Sequence, residues 1–86
     1  KQVFVITNHP HEVSGFITGS LHRGVTLLHG EGGFSGKERI VLLALLEPRQ
    51  VVALKRFLAE NDPHAFMSIN EASEVVGKGF KSWKSL

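Results

Sequence analysis

Apolar and polar positions alternate along the chain in a way that predicts six elements. Val3, Phe4, Val5 and Ile6 are consecutive β-formers, so Gln2–Thr7 reads as a strand apolar on both faces. Pro10 suits the first position of a helix and Glu12 its first turn, and Val13, Phe16, Ile17 and Leu21 then recur at helical spacing. Gly15 and Gly19 fall inside that helix, where each costs about 1 kcal/mol relative to Ala; a close approach to a sheet would give them a use. His22-Arg23-Gly24 ends the helix, with Gly24 expected to supply the positive φ. Val25–His29 is a second strand, the glycine-rich residues 30–36 a loop, and Glu38–Leu46 a third strand. Pro48 opens a second helix to about Asn61, with Val51, Leu54 and Leu58 on one face and Phe57 beside it; Asp62-Pro63 stops it. Ala65–Asn70 is a fourth strand, with Met67 and Ile69 on one face and Phe66, Ser68 and Asn70 on the other. Glu71–Val76 is expected to add one helical turn.

The order β-α-β-β-α-β is that of the ferredoxin-like split βαβ sandwich, an α+β fold. Right-handed crossovers put both helices on one face of a four-stranded antiparallel sheet, with the strands in the spatial order fourth, first, third, second. The two strands this order makes central are the two that are apolar on both faces. Seven consecutive apolar residues, Ile40 to Leu46, therefore leave an oily face that the helices cannot cover, and soluble monomers rarely expose one. Self-association through this open face, as a dimer or trimer, is the expected remedy.

Composition narrows the function. At 86 residues the chain suits a single domain with a small core, here residues 1–80 followed by a basic tail, residues 81–86. The net charge of +2 is uneven: Lys78, Lys81 and Lys84 are the only charges in residues 78–86, and the remainder carries seven basic and eight acidic groups. A near-neutral body argues against a nucleic-acid binder, which spreads basic charge over the fold itself. The tail reads as a solvated basic end, or else as a segment whose Phe80, Trp83 and lysines touch an anionic membrane surface. The absence of Cys excludes a disulfide scaffold and thiolate chemistry. No apolar run approaches the roughly 18–20 residues of a membrane span. The chain begins with Lys1 and not Met, as expected of a piece of a longer protein.

Four of the nine glycines fall in Gly30-Glu31-Gly32-Gly33-Phe34-Ser35-Gly36, followed by Lys37. Successive glycines let a ligand approach the backbone, and consecutive amides can form an anion-binding nest. The spacing matches neither the Walker nor the dinucleotide motif: Glu38 stands where a Walker loop has Ser or Thr, and Ser35 where the dinucleotide pattern needs Gly. The five histidines (9, 11, 22, 29 and 64) lie at no metal-ligand spacing, so no metal or cofactor is expected. No Ser occupies a nucleophile elbow and the loop after the first strand has no Arg, so catalytic residues are not assigned and the chain does not read as an enzyme.

Several stretches carry a resemblance: Arg23-Gly24-Val25-Thr26, the loop Gly30–Gly36, Asp62 with Ala65-Phe66, and Glu74-Val75 with Gly77-Lys78-Gly79-Phe80-Lys81. Together they resemble the C-terminal cytoplasmic domain of the YitT-type bacterial membrane proteins, multi-span proteins of unknown function. Phe34 and Ser35 stand where that family's pattern has Tyr and Thr. The family is similar in topology to the PII signalling proteins, in which the loop between the second and third strands contacts ligands or partners. The resemblance implies a PII-like regulatory domain on the cytoplasmic side of the bacterial cell membrane, partnered by the membrane-spanning part of its own protein. The expected ligand is a small anionic metabolite, such as a nucleotide, held between subunits against Gly30, Glu31, Gly32, Gly33, Phe34, Ser35 and Gly36. Arg23, Thr26, Lys37, Gly77, Gly79 and Phe80 are the expected helpers. The alternative is a structural oligomerisation module without a ligand.

Overall fold

A computed structural model describes residues 1–85; Leu86, the end of the basic tail, lies outside the described residues. The elements are β1 (Gln2–Ile6), α1 (Pro10–Gly19), β2 (Thr26–Glu31), β3 (Glu38–Leu45), α2 (Pro48–Asn61) and β4 (Phe66–Asn70), with a short 3-10 turn at Trp83–Ser85. The strands form one antiparallel sheet in the order β2-β3-β1-β4, the ferredoxin-like arrangement expected from the element order.

Strand alternation divides the sheet residues between two faces. On one face Leu27, Leu42, Val5 and Met67 lie in a row across the four strands, with Ala44, Val3 and Ile69 in the next row. Both helices pack here: Val13 and Ile17 of α1 and Val51, Leu54 and Leu58 of α2 join Leu42, Ala44, Val3 and Val5 in one core, with Met67 and Ile69 packed against it. Phe16 stacks on Phe57 with ring centroids 4.2 Å apart, closing the helix pair over the sheet. The Glu47 amide donates to Gln50 Oε1 at 2.8 Å, so a side chain three residues on serves a backbone donor at the start of α2.

The opposite face carries Leu28, Val41, Ile6 and Phe66 in one row and Thr26, Leu43, Phe4 and Ser68 in the next. None of these side chains joins the helix-covered core, and Phe66 is 65% exposed. The open apolar face expected from the run Ile40 to Leu46 is therefore present.

One polar contact ties the two halves together. Thr7 and Asp62 are both buried, and the Thr7 hydroxyl donates to Asp62 Oδ2 at 2.5 Å. The Asn8 amide donates to the same oxygen at 3.4 Å, and the His9 amide donates to Thr7 Oγ1 at 3.0 Å. Residues just after α2 thus hold the entry to α1, whose own N-cap makes no side-chain bond. The Thr7 hydroxyl does most to hold the Asp62 carboxyl below the usual carboxylate range; burial opposes it, and the Asn8 and His64 amides and the His9 charge add to the lowering.

Three local expectations differ from the structure. α1 stops at Gly19, and the left-handed residue is His22 (φ 56°), not Gly24, because the Arg23 amide turns back to Ile17 O at 3.1 Å. Gly15 and Gly19 face open space instead of the sheet. Glu71–Val76 forms no helical turn: the Val75 carbonyl accepts the Lys81 amide, and Val76 bridges to Lys81. Six residues ahead of a glycine turn do not repay helix nucleation.

Gly15 sits mid-helix with room for a Cβ, so Gly15→Ala stabilises the domain by about 0.5–1 kcal/mol, read as a higher urea midpoint. The lowered Asp62 pKa means that the unfolded chain binds the proton more readily than the native one. That contribution to stability is fully present above the unfolded pKa of about 3.9 and is lost as pH falls through the lower, folded value. Urea midpoints measured from neutral pH down through this window fall for the wild type, and the fall is shallower for Asp62→Asn.

Candidate functional site

Arg23 follows the turn that ends α1 and precedes β2, and the backbone bond to Ile17 sets its position. Its side chain is only 16% exposed, and the guanidinium has partners on three sides. Nε donates to Gln50 Oε1 at 3.2 Å, Nη2 to Glu47 Oε1 at 3.3 Å and Nη1 to the Gly79 carbonyl at 3.4 Å. The Phe80 ring lies against it, with the guanidinium carbon 4.3 Å from the ring centroid. Arg23 thus clamps the start of α2 to the segment Gly77–Phe80.

That segment is a closed turn. The Phe80 amide donates to Gly77 O and the Gly77 amide to Lys81 O, each at 2.9 Å. Gly77 (φ 144°) and Gly79 (φ 87°) adopt conformations that side chains disfavour. At Gly79 the reason is double, since a Cβ would come within 2.5 Å of Arg23 Nη1.

Between this turn and the open face of the sheet lies a groove of about 520 Å³. Leu43 and Leu45 supply its apolar wall, Gln2 and Thr26 its polar side chains, and Phe80, Arg23, His22 and Lys78 its rim. No acidic residue is among the described residues that line it. Glu47 offsets the Arg23 charge, which leaves Lys78 as the exposed cation. The volume falls within the range of small-molecule sites, and the lining suits a molecule with an apolar body and an anionic group.

The glycine loop lies elsewhere. Gly30 and Glu31 belong to β2, opposite Arg39 and Glu38, so the connecting loop is only Gly32–Lys37. Six residues of strand and turn separate Thr26 from Gly32, roughly 20 Å at strand rise. Within one chain, Arg23, Thr26, Gly79 and Phe80 come together at the groove, with Gly77 in the adjoining turn. Gly30, Glu31, Gly32, Gly33, Phe34, Ser35, Gly36 and Lys37 do not join them. Lys37 lines a different depression with Thr7 and Asn8. Three of the loop amides donate internally: Gly32 N to Lys37 O and Gly36 N to Gly32 O at 2.8 Å, and Lys37 N to Ser35 Oγ at 3.2 Å. Those three donors are turned into the loop and do not serve an anion-binding nest. Phe34 stands fully exposed at the tip.

Gln2, Leu43, Leu45 and His22 were not singled out as ligand residues by sequence reasoning, and Lys78 entered it only through the Gly77–Phe80 segment and the basic tail. For the first three the signal existed, since strand alternation puts them on the open face with Thr26. His22 and Lys78 depend on how two turns fold back, which periodicity does not report. Among the described residues no three His, Cys, Asp or Glu side chains gather as metal ligands. Among the same residues no helix is long and apolar enough to cross a membrane.

Comparison with known proteins identifies the domain. Residues 23–77 match the family described as uncharacterized protein conserved in bacteria (DUF2179). The chain is 36% identical over 81 residues to the uncharacterized protein in cccA 5'region of Bacillus sp. strain PS3, covering 94% of this chain and 54% of that protein. It is 31% identical over 81 residues to the UPF0750 membrane protein YvjA of Bacillus subtilis strain 168, covering 94% of this chain and 29% of the relative. The chain thus spans about half or less of the length of these relatives. The crystal structure of a DUF2179 protein from Eubacterium ventriosum superposes with a TM-score of 0.70 at 25% identity, covering 80% of this chain and 94% of that one. In agreement with the YitT-type resemblance, the chain belongs to the DUF2179 family, whose members include segments of the UPF0750 membrane proteins YvjA and YitT.

Proposed function

We propose that this chain is the regulatory domain of a membrane protein, held on the cytoplasmic side, and that it senses a small anionic metabolite in the groove beneath the Gly77–Phe80 turn. The observation that carries the reading is the groove itself, with an apolar wall of Leu43 and Leu45, a cationic rim and no acid. It favours this location over the glycine loop, where the Gly32, Gly36 and Lys37 amides donate internally. A nucleotide fits the pattern, with its base against Leu43 and Phe80 and its phosphate toward Lys78. The groove opens on the apolar sheet face, so pairing of two copies there would set a second chain beside the ligand. Ligand occupancy would then bear on subunit contacts, a route from metabolite to the membrane-spanning part. A second reading, an oligomerisation module without a ligand, draws on the uncovered row Leu28, Val41, Ile6 and Phe66 alone.

Thermal-shift measurements against nucleoside mono-, di- and cyclic phosphates and against apolar carboxylates test the ligand. At a hundred times Kd, a specific ligand adds about 2.7 kcal/mol and raises Tm by more than 10 °C, from roughly 4 °C or more per kcal/mol in a domain this size. Lys78→Gln and Thr26→Val diminish the shift, whereas Gly33→Val, at a loop position with open space for a side chain, leaves it intact. Loss of the response in Gly33→Val with retention in Lys78→Gln returns the site to the glycine loop, and no shift with any anion leaves only the module reading.

Analytical ultracentrifugation tests the assembly. The wild type sediments as a dimer or trimer at micromolar concentration, and Phe66→Asp, a charge placed at an exposed position on the open face, shifts it to monomer. A wild type that stays monomeric at high micromolar concentration ends the subunit-coupling argument.

A further inference from the structure

The basic segment beyond the groove is not used by the ligand reading, and the fold organises it. Lys78, Lys81 and Lys84 are the only charged residues after Glu74. Lys81 is turned back to Glu74, its Nζ 3.0 Å from Oε2, which leaves Lys78 and Lys84 without an ion-pair partner among the described residues. Lys78, Phe80, Trp83 and Lys84 line one shallow surface depression of about 430 Å³. Phe80 is committed to Arg23, but Trp83 is 70% exposed in its 3-10 turn. The Lys84 amide donates to Ser82 Oγ at 3.2 Å, and the Gly77–Lys81 bonds hold the other flank. An exposed indole between two unpaired lysines is therefore displayed on a hydrogen-bonded support and not on a loose end.

We propose that this surface, Lys78, Trp83 and Lys84, docks on an anionic phospholipid bilayer. Charge complementarity selects the partner: the patch is cationic with no acidic side chain among the described residues that line it, and a membrane surface rich in phosphatidylglycerol is anionic. Trp is the side chain best suited to the headgroup level, with an apolar ring and one N–H donor. Two lysines and one indole bind weakly by themselves. The inference rests on the reading that the domain is tethered to a membrane protein, because tethering raises the effective lipid concentration enough for a weak contact to fix orientation. In that pose the Gly77–Phe80 turn lies at the bilayer and the groove opens beside it.

Trp83 is the only Trp and the chain has no Tyr, so its fluorescence reports the contact directly. The 86-residue chain is titrated at low salt, up to millimolar lipid so that a weak contact is populated without the tether, with vesicles of equimolar phosphatidylcholine and phosphatidylglycerol, and with vesicles of phosphatidylcholine alone. The expected result is a blue shift and co-sedimentation with the anionic vesicles only, both reversed by high salt. Lys84→Glu, outside the groove, lowers the partition coefficient roughly thirty-fold, two charge units at about five-fold each. Trp83→Ala, followed by sedimentation, weakens binding further. No blue shift on anionic vesicles, equal binding to neutral ones, or a Lys84→Glu protein that binds like wild type overturns the proposal. The metabolite reading is judged separately by thermal shifts without lipid, so each can fail without the other.

Discussion

A sheet has two faces, and this chain has helices for one. Among the described residues there are four strands, two crossover helices and one short 3-10 turn, and both α-helices lie over Val3, Val5, Leu42 and Ala44. β1 and β3 are nevertheless apolar on the other side as well, where Phe4 and Ile6 pair with Leu43 and Val41 across the centre of the sheet. No charged residue interrupts that face between the row of Leu45 and Gln2 and the row of Val41 and Ile6. Hydrophobic burial is the main favourable term in folding and association, and this uncharged oily surface is the part of the sheet that the helices leave uncovered. The remaining features are placed with respect to that surface: a groove at one end, an extended hairpin at the other, and a C-terminal turn folded against its edge.

The turn stays in place because of one arginine. Arg23 touches the start of α2 through Glu47 and Gln50 and the C-terminal turn through Gly79 and Phe80. Gln50 also donates to the Leu21 carbonyl and accepts the Glu47 amide, so helix end, helix start and turn share one hydrogen-bond network. A guanidinium with fixed forks suits this task better than an ammonium. The consequence for chemistry is that Arg23, although cationic and beside the groove, is already engaged. Among the described residues that line the groove, Lys78 is the exposed cation with no ion-pair partner.

The elements that were legible in the sequence are those set by periodicity. Alternation in β4 assigns Met67 and Ile69 to the core and Phe66 to the open face, and the structure agrees. The helical spacing of Val51, Leu54 and Leu58 likewise gives the buried stripe of α2. Legibility ended at turns. Which residue takes the left-handed conformation after α1 depends on the Arg23–Ile17 bond, a choice between His22 and Gly24 that composition alone decides wrongly. The candidate site shows the same divide. A cluster of glycines draws the eye to residues 30–36, yet those glycines serve a tight hairpin end, with Gly36 at φ 70° and no room at Gly32 beside Ser35. The two glycines at 77 and 79 carry the more telling constraint, because their conformation and the closeness of Arg23 are tertiary facts.

The geometry also bears on how sensing and attachment relate in the proposed function. The groove, the Arg23 clamp and the lysine–indole surface all draw on the segment from Gly77 to Lys84, and Lys78 borders both the groove and the outer surface. A ligand phosphate and a lipid phosphate would therefore draw on the same ammonium from opposite sides of one turn. Two anions competing for one cation produce negative coupling, and by linkage the effect is reciprocal: whatever weakens the lipid contact when the groove fills must weaken ligand binding by the same factor when the membrane is engaged. The turn is short and closed by two backbone bonds, so it does not offer Lys78 a way to serve both at once. Read this way, the metabolite need not reshape the sheet in order to act. It need only recruit one side chain away from the bilayer, and the domain's tilt against its membrane partner follows.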